Sequence, residues 1–229
     1  MTGPALKRPV GGAWEAPLHA VIFDMDGILV DSEPIHRDAA QALLASSGLD
    51  LREEVYLQCV GTTAQRTYDI LSANYDLPWS FDDYQGAYEI EILSRLRRPL
   101  DRLPGVGATL EAVERRGLGL ALASSSRFSW IEATLEGLGL TGRFPVVASG
   151  QEVTNGKPSP EIFLLAAERL GVDPGNCLVF EDSPAGVAAS SSAGMRTVAV
   201  RTEYTENLAL PGADVILDSL EDLPDEFFD

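Results

Sequence analysis

The sequence predicts an α/β protein, a doubly wound parallel sheet carrying an inserted helical domain. Three observations lead there. Six short apolar runs have the length of strands buried on both faces, helical patterns separate several of them, and one stretch over residues 33–102 holds helical patterns alone.

The first run, residues 20–23, ends at Asp24, and Gly27 just beyond it permits a sharp turn, so it reads as a buried strand entering a loop. Helix-like stretches then follow at residues 34–47, 52–59, 64–75 and 81–97 with no convincing strand between them. The ends of this insert, near Ser32 and Leu103-Pro104-Gly105, are expected to be neighbours at the mouth of the sheet, which suits a lid. Further strand-like runs lie at residues 118–123, 146–148, 178–180, 197–200 and 215–217. Helices are expected over residues 127–138, 160–170 and 184–193, the last two opening with proline, whose missing N–H is harmless there. The domains that result are a loose leader at 1–17, a core at 18–32 and 103–229, and the helical domain at 33–102. The leader has Pro9, Gly11, Gly12 and Pro17 and lacks the apolar block of a signal peptide.

Composition excludes several functions. With 45% hydrophobic residues the chain of 229 can bury an ordinary core, yet no run approaches the roughly 18 apolar residues of a membrane helix. Cys59 and Cys177 are isolated, which suggests buried thiols in a reducing cytoplasm rather than a disulfide or a metal knuckle. Seventeen basic against 35 acidic residues give a net charge of -18, so nucleic acid is disfavoured as a partner and a soluble monomer is the simplest expectation. An anionic substrate would need local positive charge from a metal ion and a few placed cations.

Four polar clusters meet that need. Asp24-Met25-Asp26-Gly27 offers a carboxylate that can attack phosphorus and a second acid that can protonate a leaving oxygen. Ser124-Ser125-Ser126 follows a strand and precedes a helix, where hydroxyls and N–H groups can receive an anion. Lys157 lies in the loop Asn155-Gly156-Lys157-Pro158. Glu181-Asp182 again follows a strand and supplies acidic metal ligands. Each cluster has an ordinary explanation by itself: a turn, a helix cap, a solvated lysine, a surface cap. Their recurrence at strand ends is what points to one reaction centre.

The four clusters, in this order, resemble the motifs of the haloacid dehalogenase superfamily, and the resemblance runs from residue 20 onward. It implies a Rossmann-like core and a magnesium-dependent phosphatase acting on a small phosphorylated metabolite, such as a sugar or polyol phosphate. Asp24 would be the nucleophile, Asp26 the acid and then the base, and Ser124, Ser125 and Lys157 the phosphate binders. Mg2+ would be held by the Asp24 carboxylate, the Asp26 backbone carbonyl and Asp182, with Glu181 as an additional or water-mediated ligand. The second aspartate argues for phosphate chemistry over dehalogenation, since halide leaves without a proton. The helical domain resembles the type-1 cap of beta-phosphoglucomutase and its phosphatase relatives, in which Gly61, Thr62 and Arg66 would face the substrate and His36 would sit at the hinge. A turn and a structural histidine are equally ordinary roles for these four.

Two competing functions keep the same residues. A phosphoglucomutase would pass the phosphoryl group to a sugar, but its cap lysine falls on Gly86 by gapless counting from Pro104. A signalling receiver would carry its acidic pair and accepting aspartate in another order and would have no helical insert. Two glycine patterns are read as turns: Gly150 to Lys157 has five residues between its glycines and Pro158 where a P-loop needs Ser or Thr, and Gly105-Val106-Gly107 has Leu110 where a dinucleotide motif needs glycine.

Overall fold

The computed structural model describes residues 17–228, so the leader expected at 1–17 lies, up to residue 16, outside the described residues. In chain order the elements are β1 (Ala20–Phe23), α1 (Glu33–Ala45), α2 (Glu53–Tyr56), α3 (Ala64–Asn74), α4 (Phe81–Leu96), α5 (Val106–Arg115), β2 (Gly119–Ser124) and α6 (Phe128–Gly137). After these come β3 (Val146–Ser149), α7 (Glu161–Leu170), β4 (Cys177–Glu181), α8 (Pro184–Ser192), β5 (Arg196–Val200) and β6 (Val215–Leu217). They divide into two compact units, one formed by the described residues up to Asp31 together with those from Asp101 onward, the other by Ser32–Leu100.

The first unit is built on a six-stranded, wholly parallel sheet in the order β3-β2-β1-β4-β5-β6. Of its central strands β1 is apolar at every position and β4 at all but its terminal Glu181, because helices cover both faces, which explains why they read as continuous runs rather than alternating ones. Alternate residues serve opposite faces. Ala20, Ile22, Ala121, Ala123, Cys177 and Val179 pack with Ile162, Phe163, Ala166 and Ala167 of α7 and with Ala189 of α8. The many alanines on this face let the helices approach closely, and the fully buried Phe163 alone contributes about 1.5–3 kcal/mol of burial. The other face is aromatic: Phe23 meets Phe180 at 5.0 Å and Phe144 at 6.0 Å, and Phe180 meets Phe228 at 6.3 Å between ring centroids.

Strand order also locates the binding crevice. From β1 the chain goes on to build β2 and β3 on one side, whereas from β4 it goes on to β5 and β6 on the other. The carboxyl ends of β1 and β4 therefore flank the topological switch point, where connections part and leave a gap.

One helix escapes the sequence reading. The glycine pattern at residues 105–107, read as a turn, opens α5, whose Val106, Leu110 and Val113 are buried and which packs on β2. Gly105 does make a turn, at φ 82°, and a side chain there would overlap the backbone of Leu220 and Glu221. Two glycines near the start lower helix propensity, and burial of the apolar stripe overrides it.

In the helical unit, α1 runs against α4, and Leu43, Leu44, Val55, Cys59, Ile70, Leu71 and Tyr84 form its core. Ser80 and Asp83 make a reciprocal capping box at the start of α4, and Thr63 Oγ1 caps α3 by accepting the Arg66 N–H. The helix expected over 52–59 shrinks to the single turn of α2, because the chain from Leu57 breaks into turns that lead to Gly61 at φ 70°. No helix among the described residues is long and apolar enough to cross a membrane.

Candidate active site

The parallel register decides which polar residues meet. Phe23 stands opposite Leu122 on one side and Phe180 on the other, and the Asp24 N–H continues the ladder to the Phe180 carbonyl at 2.9 Å. The residues that end these strands, Ser124 and Glu181, and those just past them, Asp24 and Asp182, consequently share the carboxyl edge of the sheet.

Asp24 is 6% exposed and leads into a tight loop held by the Gly27 N–H to the Val30 carbonyl at 2.8 Å and the Leu29 N–H to the Met25 carbonyl at 2.8 Å. Gly27 has φ 75°, and a Cβ on it would overlap the Asp182 carboxylate. Only glycine lets that carboxylate lie against the loop carrying Asp24 and Asp26.

Lys157 comes from the loop between β3 and α7. Its Nζ donates to Asp24 Oδ1 at 2.5 Å and to Glu181 Oε1 at 2.6 Å, and it also lies 4.9 Å from the centroid of the Phe163 ring. The loop is organised by Glu161, whose carboxylate accepts the N–H groups of Thr154 and Asn155, the Asn155 amide and the Ser159 hydroxyl. Burial by itself would lower the lysine's pKa, but the carboxylates of Asp24 and Glu181 outweigh it and hold the amine protonated.

Glu181 is fully buried, and both its oxygens are engaged. Oε1 takes Lys157; Oε2 accepts the Asp182 N–H at 2.8 Å, the Ser183 N–H at 2.8 Å and the Ser183 hydroxyl at 3.0 Å. A Cβ on Gly186 would fall inside this carboxylate, so the first turn of α8 is shaped around it. Glu181 thus joins the lysine to the N-terminus of α8.

The balance of charge then tests whether a metal fits. Four carboxylates, Asp24, Asp26, Glu181 and Asp182, share this edge with one ammonium. Burial first, and then repulsion from Glu181 and Asp26, push Asp24 up to about 7 despite the opposing pull of Lys157. Asp182 is pushed up to about 8 by burial and by the charges of Asp24 and Glu181. This surplus of buried oxygen donors fits a hard divalent cation. Among the described residues no three acidic, imidazole or thiol side chains converge as a closed cage. A cation would draw instead on the Asp24 and Asp182 carboxylates and the Asp26 backbone oxygen, with solvent or substrate completing its shell.

Ser124 is fully buried, and its Oγ accepts the Ser126 N–H at 3.1 Å, which leaves its own proton to be donated. Ser125 is exposed beside it, with its carbonyl packed against Gly150. Six of the expected residues, Asp24, Asp26, Ser124, Lys157, Glu181 and Asp182, thus come from four strand ends or loops of one unit, with Ser125 adjoining them.

The remaining four belong to the helical unit. His36 Nδ1 lies 2.7 Å from the Tyr88 hydroxyl, with the two rings stacked at 6.3 Å. Thr62 Oγ1 donates to the Cys59 carbonyl at 2.7 Å and pairs with Thr67 Oγ1 at 2.8 Å, Gly61 makes the turn beside it, and Arg66 is exposed on the first turn of α3. The sequence reading passed over Glu161, Gly186 and Ser149. Glu161 leaves a faint signal as an acid at the start of a helix behind a Ser-Pro pair; the other two become visible only through what they touch.

Residues 21–200 match the family described as haloacid dehalogenase-like hydrolase. The chain is 36% identical over 181 residues to a phosphorylated carbohydrates phosphatase of Thermotoga maritima, spanning 79% of this chain and 84% of that one. It is 35% identical over 211 residues to hexitol phosphatase B of Escherichia coli K12, spanning 89% and 93%. Among solved structures it resembles CbbY of Rhodobacter sphaeroides in complex with phosphate, with a TM-score of 0.79 and 29% identity over 90% of this chain and 96% of the other.

Proposed function

This chain belongs to the haloacid dehalogenase-like hydrolase family and is a phosphatase; we propose that it acts on a small sugar or polyol phosphate, carrying the phosphoryl group on Asp24 before passing it to water. The observation that carries the route is Lys157, whose amine lies 2.5 Å from Asp24 Oδ1 and 2.6 Å from Glu181 Oε1 at the sheet's switch point. The sugar or polyol class rests on the activities that name the two phosphatase relatives.

Lys157 occupies Oδ1 of Asp24, so Oδ2 attacks phosphorus as the ester P–O bond breaks. Asp26 gives its proton to the departing oxygen, then removes one from the water that displaces Asp24. The Ser124 hydroxyl and the Ser125 N–H receive phosphoryl oxygens, and the Lys157 ammonium offsets the charge that gathers on them. The Asp24 and Asp182 carboxylates and the Asp26 carbonyl would hold Mg2+, which would supply neutralisation of the phosphoryl charge. Glu181 holds Lys157 in place through Oε1 and the N-terminus of α8 through Oε2.

A mutase reading has less support, since the helical unit contains no lysine and Gly86 of α4 stands where one would fall. A receiver reading lacks support from the family match across residues 21–200. The test is release of inorganic phosphate from a panel of sugar and polyol phosphates with and without Mg2+. Parent protein should turn over, Asp24→Asn should lose turnover to background, and an active Asp24→Asn would refute the route.

A further inference from the structure

Ser126, the last of the three serines after β2, is fixed by three contacts, one through each of its polar groups. Its N–H donates to Ser124 Oγ at 3.1 Å, its carbonyl accepts from Ser149 Oγ at 2.7 Å, and its hydroxyl donates to Asp26 Oδ2 at 3.4 Å. Ser149, fully buried at the end of β3, is held in turn: its N–H donates to Glu152 Oε2 at 3.0 Å and its Oγ accepts the Gln151 N–H at 3.2 Å. Gly150 lies so close to the Ser125 carbonyl that a Cβ on it would overlap that oxygen. The backbone of Ser126 is clamped between the ends of two strands, and its side chain reaches the loop after β1.

From the sequence, Ser126 counts among the donors available to phosphate. Its hydroxyl instead meets the acid. Resting on the phosphatase reading above, we infer that Ser126 is a positioning residue that holds the Asp26 carboxyl for proton transfer to the leaving group.

The chemistry follows from the two oxygens of a carboxyl group. A hydroxyl donating to Oδ2 keeps that oxygen as the acceptor, so proton exchange with the leaving group runs through Oδ1. As the bond from Asp24 to phosphorus forms and the ester P–O bond breaks, the Oδ1 proton passes to the departing oxygen. In the second step the oxygen of water bonds to phosphorus, the O–P bond of the Asp24 acyl phosphate breaks to return the carboxylate, and the water's proton passes to Asp26. Ser126 exchanges no proton in either step. The 3.4 Å separation is long for a hydroxyl donating to a carboxyl oxygen, as catalytic hydrogen bonds often are without substrate.

A group that acts only by orienting a general acid matters in proportion to how much the leaving group needs a proton. Nitrophenolate departs readily without one, whereas the alkoxide of a polyol does not. The experiment measures kcat/KM for Ser126→Ala and Ser126→Thr over a series running from p-nitrophenyl phosphate through phenyl phosphate to a hexitol phosphate. For Ser126→Ala, activity on the hexitol phosphate should fall on the order of ten-fold, while the nitrophenyl ester loses less than about three-fold, giving a steeper dependence on leaving-group basicity. Ser126→Thr keeps the hydroxyl and should keep the parent's slope, which separates this role from a simple loss of packing. Equal losses across the series for Ser126→Ala, or a threonine variant as steep as the alanine one, would overturn the inference while leaving the phosphatase reading intact. An Asp24→Asn variant with parental activity would remove that reading, and the inference with it.

Discussion

Removing the Lys157 ammonium should cost more than removing it together with the charge it neutralises. The side chains of Lys157 and Glu181 are 8% and 1% exposed, so Lys157→Met leaves a carboxylate in a site that water barely reaches. Breaking one side of a buried pair costs about 3–5 kcal/mol, which at roughly 2–4 °C per kcal/mol for a chain of this size lowers the melting temperature by about 6–20 °C. Glu181→Gln keeps an oxygen for the N–H groups of Asp182 and Ser183 and removes the charge and the acceptor that Lys157 uses. The double variant should therefore be more stable than Lys157→Met alone, with a coupling on the order of 1–3 kcal/mol. Differential scanning calorimetry of the parent, both single variants and the double variant in metal-free buffer at pH 8 closes the cycle. If the two single losses simply add, Lys157 and Glu181 do not depend on each other and this account of the site is wrong.

Two further outcomes test the same edge of the sheet. Gly27→Ala and Gly61→Ala both put a methyl on backbone at positive φ, near 75° and 70°, but only at Gly27 does it strike another group, the Asp182 carboxylate. Gly61→Ala should cost about 1–2 kcal/mol of backbone strain with turnover retained, whereas Gly27→Ala should also abolish phosphate release; similar activity in the two variants would contradict the packing of Asp182 on that loop. Millimolar Mg2+ should raise the melting temperature of the parent through preferential binding to the folded state, and Asp182→Asn should remove most of that rise. A full rise in Asp182→Asn would take Asp182 out of the ligand set.

Much of this protein is written locally. A strand buried on both faces is apolar almost throughout, so β1 and, up to its terminal Glu181, β4 announce themselves wherever they are placed, and polar clusters at the ends of such strands point to a ligand there. The kinds of chemistry available, a paired carboxylate, a lysine and a serine run, are equally visible in the residues themselves. Helix α5 was missed because its glycines weigh against helix formation, and only burial against β2 reverses the balance.

Which of those groups become partners is another matter, because it depends on strand order, and strand order is set by packing between segments far apart in the chain. The order β3-β2-β1-β4 brings Lys157 to Asp24 across 133 residues and Ser126 to Asp26 across 100. It also turns Glu181 toward the lysine and makes Gly186 its necessary neighbour. Periodicity and turn chemistry act over a few residues, whereas a shared buried charge or a steric overlap arises only once the sheet has closed its neighbours together. Sequence by itself therefore specified the elements and the reagents, and the assembled sheet decided which carboxylate serves the lysine and which hydroxyl meets the acid.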